Sequence, residues 1–241
     1  GKIDPGVLPA QDMLLNEMLA DSPLVLWRGY DDSGTDLSGN GRSGTVGASV
    51  TTASNLAGLK AAYGFPGSAS DAGCVKASDA SWQSPQAGAS GKITLEAVIR
   101  PTSLTTDQTI WLKGENAAWE YLMNVGSAGQ LYCVIWQTSG SSTVMNLTTA
   151  SVISVNTTYH VAATFNRSTP ALVLYVNGSN VGSSASASST STDSTGALRF
   201  GVRMDGYINR GFAGSMSHGA VYNTDLSSAR ILAHAQAAGL A

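Results

Sequence analysis

Apolar and polar residues alternate in short runs along most of this chain, which is the pattern of half-buried β-strands. In the run KITLEAVIRP, Ile93, Leu95 and Ala97 fall on one side of a strand, whereas Thr94 and Glu96 fall on the other. Similar runs, separated by Gly, Ser, Asn and Asp, are LVLWR, AAYGF, CVKA, TIWLK, WEYLMNV, QLYCVIWQ, TVMNLTT, TYHVAATFN, ALVLYVN, ALRFGVR and MSHGAVYN. About a dozen short strands with turn residues between them predict an all-β fold, a two-sheet antiparallel β-sandwich of the jelly-roll type.

The N-terminal segment, residues 1–20, has a different pattern. Its first part, GKIDPGVLP, contains two prolines and two glycines and indicates an extended connector. Its second part, AQDMLLNEMLA, places Met13, Leu14 and Met18 on one stripe of a short amphipathic helix, which needs a partner surface. We therefore expect an assembly or attachment segment at the start of the chain, followed by a sandwich domain over residues 21–241.

Two further local signals mark a turn and a helix. Asn177 and Gly178 stand between strand-like runs and predict a two-residue β-hairpin, because a type I′ turn needs positive φ at both central positions. The stretch LSSARILAHAQAAG predicts a short C-terminal helix with an N-cap at Leu226 or Ser227 and a stop at Gly239. The low-complexity run GSSASASSTSTDSTG, between two strands, predicts a long flexible loop.

Composition supports a β-rich globular chain and narrows its partners. The chain has 241 residues, of which 43% are hydrophobic and 12% charged, with 27 glycines. A formal charge of -3 offers no basic surface for phosphates, so nucleic acid is not an expected partner. No apolar run approaches the ~20 residues of a spanning helix, so no membrane partner is expected. Cys74 and Cys133 lie in apolar strand-like runs, which favours two buried free thiols over a disulfide.

The glycine-rich stretch DDSGTDLSGNGRSGT contains a G-x-G-x-x-G pattern, but the TVGASVTTA that follows is β-branched and cannot be a phosphate-binding helix. Two interpretations remain. Asp32, Asp36 and Asn40 recur every four residues among small residues, and their oxygens suit a hard cation such as calcium. Alternatively, the side chains of Asp36, Ser38 and Asn40 fold back on their own backbone in Asx-type turns, with Gly39 and Gly41 supplying positive φ.

Longer segments occur in the order of a known family. LADSPLVLWRGYDDSGTDLSGNGRSGTV is followed by YGFPGS, ITLEAVIRP, TYHVAATFN, LVLYVNGSNVG, LRFGVR and FAGSMSHGAVYNTDLSSARILAH. Together they resemble a laminin-G-like domain of the concanavalin A-like lectin/glucanase superfamily, over nearly the whole chain from residue 19 onward. The resemblance implies a concanavalin A-like sandwich, but a fold of this kind does not by itself fix a function.

The resemblance also bears on metal binding and on catalysis. Relatives often carry an Asp in the penultimate strand that helps to hold a structural calcium; Ser217 stands there instead, which weakens the case for calcium, and no other cofactor is expected. Glucanases of the superfamily need two carboxylates on one face, about 5 Å apart. Glu96 stands alone, and Glu115 and Glu120 have an odd spacing, so we expect no enzyme activity. Isolated packed or surface positions are expected for His160, His218 and His234.

Sugar binding is the remaining expectation, since lectin-like surfaces hold sugars with aromatic faces and polar side chains. The segments WLKGENAAWEYLMN and VRMDGYINRGF carry such residues, and in laminin-G-like domains these two loops tend to lie near the same rim. The candidate ligand-contacting residues are Asn116, Trp119, Arg203, Asp205, Tyr207 and Arg210. The alternative is that Trp111 and Trp136 are core residues and that Trp119 caps a sheet edge.

The connector indicates a biological context. GKIDPGVLPA resembles short linkers in tailed-phage fibre and minor tail proteins. This resemblance implies a virion structural or adhesion protein of a tailed bacteriophage, made in the host cytoplasm and placed on the tail or capsid surface. Its expected partners are other virion proteins, its own copies in a homotrimer and host cell-surface polysaccharide. The alternative is a carbohydrate-binding or adhesion module of a secreted bacterial protein.

Overall fold

The computed structural model describes residues 10–29, 33–53, 56, 59, 62–115, 118–137, 143–187, 190–204 and 210–241. Over these residues the chain forms a layer of helices, an eight-stranded sheet and a seven-stranded sheet. The strands of both sheets pair antiparallel. The predicted all-β sandwich with a short helix near each end is confirmed.

The eight-stranded sheet contains β1 (Val25–Trp27), β3 (Thr51–Ala53), β4 (Ala62–Pro66), β6 (Lys92–Pro101), β11 (Tyr159–Asn166), β12 (Ala171–Val176), β13 (Ser179–Ser184) and β17 (Ala213–Tyr222). Its order is β13-β12-β11-β6-β17-β4-β3, and β1 also pairs with β17. The seven-stranded sheet contains β2 (Thr45–Val46), β5 (Val75–Ala77), β7 (Gln108–Glu115), β8 (Ala118–Val125), β9 (Gln130–Trp136), β10 (Thr143–Ser151) and β14 (Leu198–Phe200), in the order β10-β9-β8-β7-β14-β5-β2. A short ribbon pairs β15 (Val202–Arg203) with β16 (Arg210–Gly211).

The main core lies between the two sheets. Ile93, Leu95 and Ala97 of β6 point into it, as their alternation predicts. Aromatic side chains fill its centre, where the Trp111 ring lies 5.5 Å from that of Trp27. Fully burying side chains of this size stabilises the fold by roughly 1.5–3 kcal/mol each.

The two helices cover the outer face of the eight-stranded sheet. Helix α1 (Ala10–Ala20) buries Leu14 and Met18 against this face, while Met13 stays 42% exposed. Helix α2 (Ser228–Ala237) packs beside it on the same apolar cluster. The partner surface that the α1 stripe needs is therefore provided by the domain itself. The connector lies outside the described residues.

The predicted turn and helix signals are confirmed. Asn177 and Gly178 have φ of 50° and 77°, as a type I′ hairpin between β12 and β13 requires. Ser227 caps α2 by accepting a hydrogen bond from the Arg230 N–H, and Gly239 follows the helix with φ of 71°. Part of the run predicted as a loop instead completes β13.

Two expectations from composition can be compared with the structure. Cys74 and Cys133 are buried free thiols, which confirms the favoured interpretation over a disulfide. No helix in the described part of the chain is long and apolar enough to span a membrane.

Candidate functional site

Two tryptophans lie together on the face of the seven-stranded sheet that is turned away from the core. In β9, Leu131, Cys133 and Ile135 point into the core, so Trp136 projects from the opposite face. The ring of Trp119, at the start of β8, lies 5.5 Å from the Trp136 ring at an interplanar angle of 51°. This separation is within the range of favourable aromatic pairs.

An arginine covers this pair. The β15–β16 ribbon packs on β7 and places Arg203 Cζ 5.6 Å from the centroid of the Trp119 ring and 6.0 Å from that of Trp136. A cation over an aromatic face contributes about 0.5–2 kcal/mol and holds both groups in position. We call Trp119, Trp136 and Arg203 the aromatic patch.

A β-bulge turns Trp119 to the outer face. Gly114 pairs with Trp119 but Lys113 pairs with Tyr121, which leaves Glu120 as an extra residue in β8. Gly114 has φ of 129°, and a Cβ there would come within 2.6 Å of the Trp119 Cα. Glycine is required at this position because the two backbones approach so closely.

The aromatic patch offers chemistry suited to a polar ligand with an apolar face. Its three side chains are partly exposed. The indole N–H of Trp119 is shielded from solvent, and no acceptor among the described residues lies within hydrogen-bonding distance of it. A ligand at this patch would therefore meet the partly exposed rings and the guanidinium rather than the indole N–H.

A network of charged side chains continues across the same face. Buried Arg199 donates from Nε to Asp71 Oδ1 at 2.8 Å and from Nη2 to Glu115 Oε2 at 3.0 Å, and Lys76 Nζ lies 2.6 Å from Asp71 Oδ2. Burial opposes ionisation of Asp71, but the hydrogen bonds and charges of Arg199 and Lys76 outweigh it and lower the pKa of this carboxyl. A pocket of about 350 Å³ beside the network is lined by Thr45, Gly47, Asp71, Lys76 and Ser78.

The structure brings together two of the six residues predicted to contact a ligand. Trp119 and Arg203 both belong to the aromatic patch, where the Arg203 guanidinium lies over the Trp119 ring. Arg210 faces Arg203 across the ribbon, but its side chain is ion-paired with Asp107. The remaining three candidates, Asn116, Asp205 and Tyr207, lie outside the described residues.

The alternative interpretation takes Trp136 for a core residue, but the structure places it, partly exposed, in this site. Trp136 ends a strand in which Leu131, Cys133 and Ile135 face the core. Because alternate residues of a strand face opposite sides, this position indicates that Trp136 faces away from the core. Trp111, in contrast, is fully buried in the core, as the alternative interpretation has it.

The early glycine-rich turn is held by hydrogen bonds of Asp36. Asp36 Oδ1 accepts from the backbone N–H of Leu26 at 3.1 Å and of Ser38 at 2.9 Å. Asp36 Oδ2 accepts from the Ser38 hydroxyl at 2.8 Å and from the Arg42 N–H at 2.9 Å. A carboxylate offers about four lone-pair sites, and here all four are used.

Asn40 and Ser217 also form hydrogen bonds at or near this turn. Asn40 directs its Nδ2 donor at the carbonyls of Pro23 and Leu24, 3.0 and 3.1 Å away. Ser217, at the position of the family Asp, is buried and donates its hydroxyl to the Arg28 carbonyl at 2.7 Å. Asp32 lies outside the described residues. Calcium prefers 6–8 oxygen ligands, whereas the oxygens of Asp36 accept hydrogen bonds from neighbouring protein groups.

The carboxylates considered for catalysis are committed to internal contacts. Glu120 is fully buried; its Oε1 lies 3.1 Å from Lys113 Nζ and its Oε2 accepts from Gln86 at 2.7 Å. Glu115 pairs with Arg199. Glu96 is fully buried under the helices, where burial raises its pKa but the charges and hydrogen bonds of His234 and His160 together outweigh this effect and lower it. Glu96 and Glu120 are therefore enclosed by the protein, whereas Glu115 is 40% exposed but paired with Arg199.

Comparisons with known proteins give a family and a fold. A family model for laminin-G-type domains, described as concanavalin A-like lectin/glucanases superfamily, matches residues 74–232, more than half of the chain. No curated protein matches the chain in sequence.

Solved structures give a second, independent comparison. The binding domain of Paraclostridial mosquitocidal protein 1 is similar with a TM-score of 0.70 and 15% identity, over 89% of this chain and 52% of that one. The binding domain of botulinum neurotoxin DC in complex with SialylT has a TM-score of 0.67 and 14% identity, over 90% and 52% of the two chains. The Ruminococcus gnavus IT-sialidase CBM40 bound to α2,3-sialyllactose has a TM-score of 0.53 and 18% identity, over 60% and 82%. The chain spans about half the length of the two toxin domains.

Proposed function

This chain belongs to the concanavalin A-like lectin/glucanases superfamily, and we propose that it is a non-catalytic lectin-like module that binds glycan through the aromatic patch. The observation that carries the proposal is the pair of half-buried indole rings of Trp119 and Trp136 under Arg203. A pyranose ring presents an apolar face to an indole, and its hydroxyls can accept hydrogen bonds from an arginine.

The names of similar structures support the same class of function. One is a carbohydrate-binding module bound to sialyllactose, and two are binding domains of toxins. The described carboxylates that could serve in glycoside hydrolysis are held in internal pairs, which favours binding without cleavage.

A glycan array followed by calorimetry tests this function. We expect binding to one class of cell-surface polysaccharide that falls at least about tenfold in Trp119→Ala and in Trp136→Ala, since stacking on a large aromatic ring contributes on the order of 1–3 kcal/mol. Trp82→Ala is the matched control, because Trp82 is also half-buried and carries an arginine, Arg42, 4.5 Å from its ring centroid. Equal loss in all three variants, or none in the first two, would remove the aromatic patch as the site.

We further propose that the module acts in a tailed-phage virion, as a homotrimer that contacts host polysaccharide. The resemblance of GKIDPGVLPA to phage tail linkers supports this context. The helices lie on one side of the sandwich and the aromatic patch on the other, so attachment at the N-terminal side would leave the patch free. Light scattering with and without residues 1–9 tests the assembly. A trimer that dissociates on deletion supports it, whereas a monomer in both forms favours a module of a secreted bacterial protein.

A further inference from the structure

Three buried side chains from three different elements meet beneath the helices. Glu96 comes from β6, His160 from β11 and His234 from α2. His160 Nε2 and His234 Nδ1 each lie 3.1 Å from the same carboxylate oxygen, Glu96 Oε2. One ligand atom of each residue lies within 4.8 Å of the others. The three side chains are no more than 1% exposed. We call this set the His–Glu cluster.

Outer partners orient two of the three groups. Tyr222 donates its hydroxyl to Glu96 Oε1, which leaves Oε2 facing the imidazoles. Asp21 Oδ2 lies 3.0 Å from His234 Nε2, which is an ion-pair distance without hydrogen-bond geometry, and Nδ1 of the same ring points to Glu96 Oε2. Asp21 is itself fixed by Arg230 Nε at 2.9 Å. A carboxylate behind a histidine and a donor behind a glutamate are the usual outer shell of a metal site.

The donor atoms of the His–Glu cluster are compatible with a cation at its centre. Without an ion, His160 Nε2 and His234 Nδ1 must each carry a proton to approach the same oxygen. The other nitrogen of that ring, His160 Nδ1, is buried and has no hydrogen-bond partner among the described residues. An ion at the centre would replace two protons and bind both nitrogens and the oxygen directly.

From this arrangement we propose that Glu96, His160 and His234 bind one divalent transition-metal ion of the zinc class. Two imidazoles and one carboxylate are ligands that Zn²⁺ and Co²⁺ take, whereas Ca²⁺ requires several oxygens. Three protein ligands leave one position of a tetrahedron for a small ligand such as water. Because the ligands lie on β6, β11 and α2, the ion joins the C-terminal helix to the sheet. The site is separate from the aromatic patch, and its existence does not depend on glycan binding.

Metal titration of the chain after treatment with a chelator tests the site. We expect one Zn²⁺ per chain by elemental mass spectrometry, a rise in melting temperature on adding Zn²⁺, and visible absorption of tetrahedral Co²⁺ when Co²⁺ is added instead. His160→Gln removes one ligand and abolishes the Co²⁺ absorption. Tyr222→Phe keeps all three ligands and weakens binding by roughly 10–100-fold, as loss of an outer partner does. Glu17→Gln, on the exposed side of Arg230, is the matched control and binds as the wild type does.

X-ray absorption at the zinc edge keeps the proposal testable if a variant does not fold. The wild-type chain should show two imidazole ligands with oxygen and no sulfur. Absence of bound metal in the folded wild type, undiminished Co²⁺ absorption in a folded His160→Gln variant, or a shell of sulfur or of oxygen alone would each overturn the proposal.

Discussion

The ammonium of Lys113 lies 3.1 Å from Glu120 Oε1, and both side chains are completely buried. Lys113 Nζ also lies 2.7 Å from Asp79 Oδ1, and Glu120 Oε1 accepts from the backbone N–H of Ser194 at 2.9 Å. The pair therefore joins the bulge of β8 to the long loop before β14. A buried, paired glutamate of this kind holds the backbone beneath the aromatic patch instead of acting on a substrate.

Removing one member of this pair is expected to be costly. Lys113→Met leaves the Glu120 charge buried opposite a methyl group, and we expect a loss of about 3–5 kcal/mol in the free energy of unfolding, measured with urea. The double variant Lys113→Met, Glu120→Leu should recover much of this loss, because no unpaired buried charge remains and Asp79, the other partner of Lys113, is 36% exposed. Glu17→Gln, in a largely exposed pair with Arg230, serves as the control and should cost no more than about 1 kcal/mol. If Lys113→Met lost no more unfolding free energy than Glu17→Gln, the Lys113–Glu120 pair would have to be solvated.

The glycine-rich turn should be independent of calcium. Asp36→Ala removes the acceptor of four hydrogen bonds, and we expect a loss of roughly 1–3 kcal/mol in unfolding free energy. The melting temperature of the wild type should be the same in calcium and in chelator, and the loss in the variant should also be the same in both. A wild-type melting temperature that rises with calcium, and a variant that no longer responds, would restore Asp36 as a metal ligand.

Most of the fold follows from patterns that the sequence displays locally. Alternation in KITLEAVIRP gives β6 with its bounds, because burying one face of a strand fixes both period and register. Asn177 and Gly178 give a hairpin because few other residue pairs take positive φ twice. The helix α1 is also predicted, but not the surface it covers, since an apolar stripe shows only that a partner is needed.

The candidate site was less accessible to prediction because it depends on register and on long-range pairing. Trp119 reaches the outer face only through the bulge opposite Gly114, and no local pattern reveals a one-residue shift. Glu96 lies 64 positions from His160 and 138 from His234, so no spacing motif relates them. The histidines therefore appeared isolated in the sequence, although the fold places two of them on one carboxylate.

Both thiols should be unreactive in the folded chain. Burial raises the pKa of Cys74 and of Cys133 to about 12, so almost no thiolate is present at pH 8. We expect no labelling by an aromatic disulfide reagent in native buffer and two labels per chain in urea, counted by mass. Rapid labelling of the native chain, or a mass lower by two hydrogens before reduction, would contradict the buried free state.

The Asp71 carboxyl should contribute to stability in a pH-dependent way. Its pKa is lowered in the folded chain, so its contribution is fully present above the ordinary value of 3.8 and is lost as the pH falls through the folded pKa. We expect Asp71→Asn to be less stable than the wild type at neutral pH, with a difference that shrinks as the pH is lowered below that value. Urea unfolding at several pH values measures the difference. A constant difference across the acid range would show that the charge of Asp71 is not involved.

The bulge beneath Trp119 allows the backbone geometry and the binding surface to be tested together. Gly114 has φ of 129° and Gly39 has φ of 85°, so alanine is strained at both positions. Only at Gly114 does the added Cβ meet other atoms, at 2.6 Å from the Trp119 Cα, whereas a methyl group at Gly39 would have open space within 4 Å. We expect Gly39→Ala to lose on the order of 1 kcal/mol from backbone strain alone. Gly114→Ala should lose more and should also weaken glycan binding, because Trp119 has to move. Equal losses of stability with unchanged binding would mean that Trp119 does not depend on the close approach at Gly114.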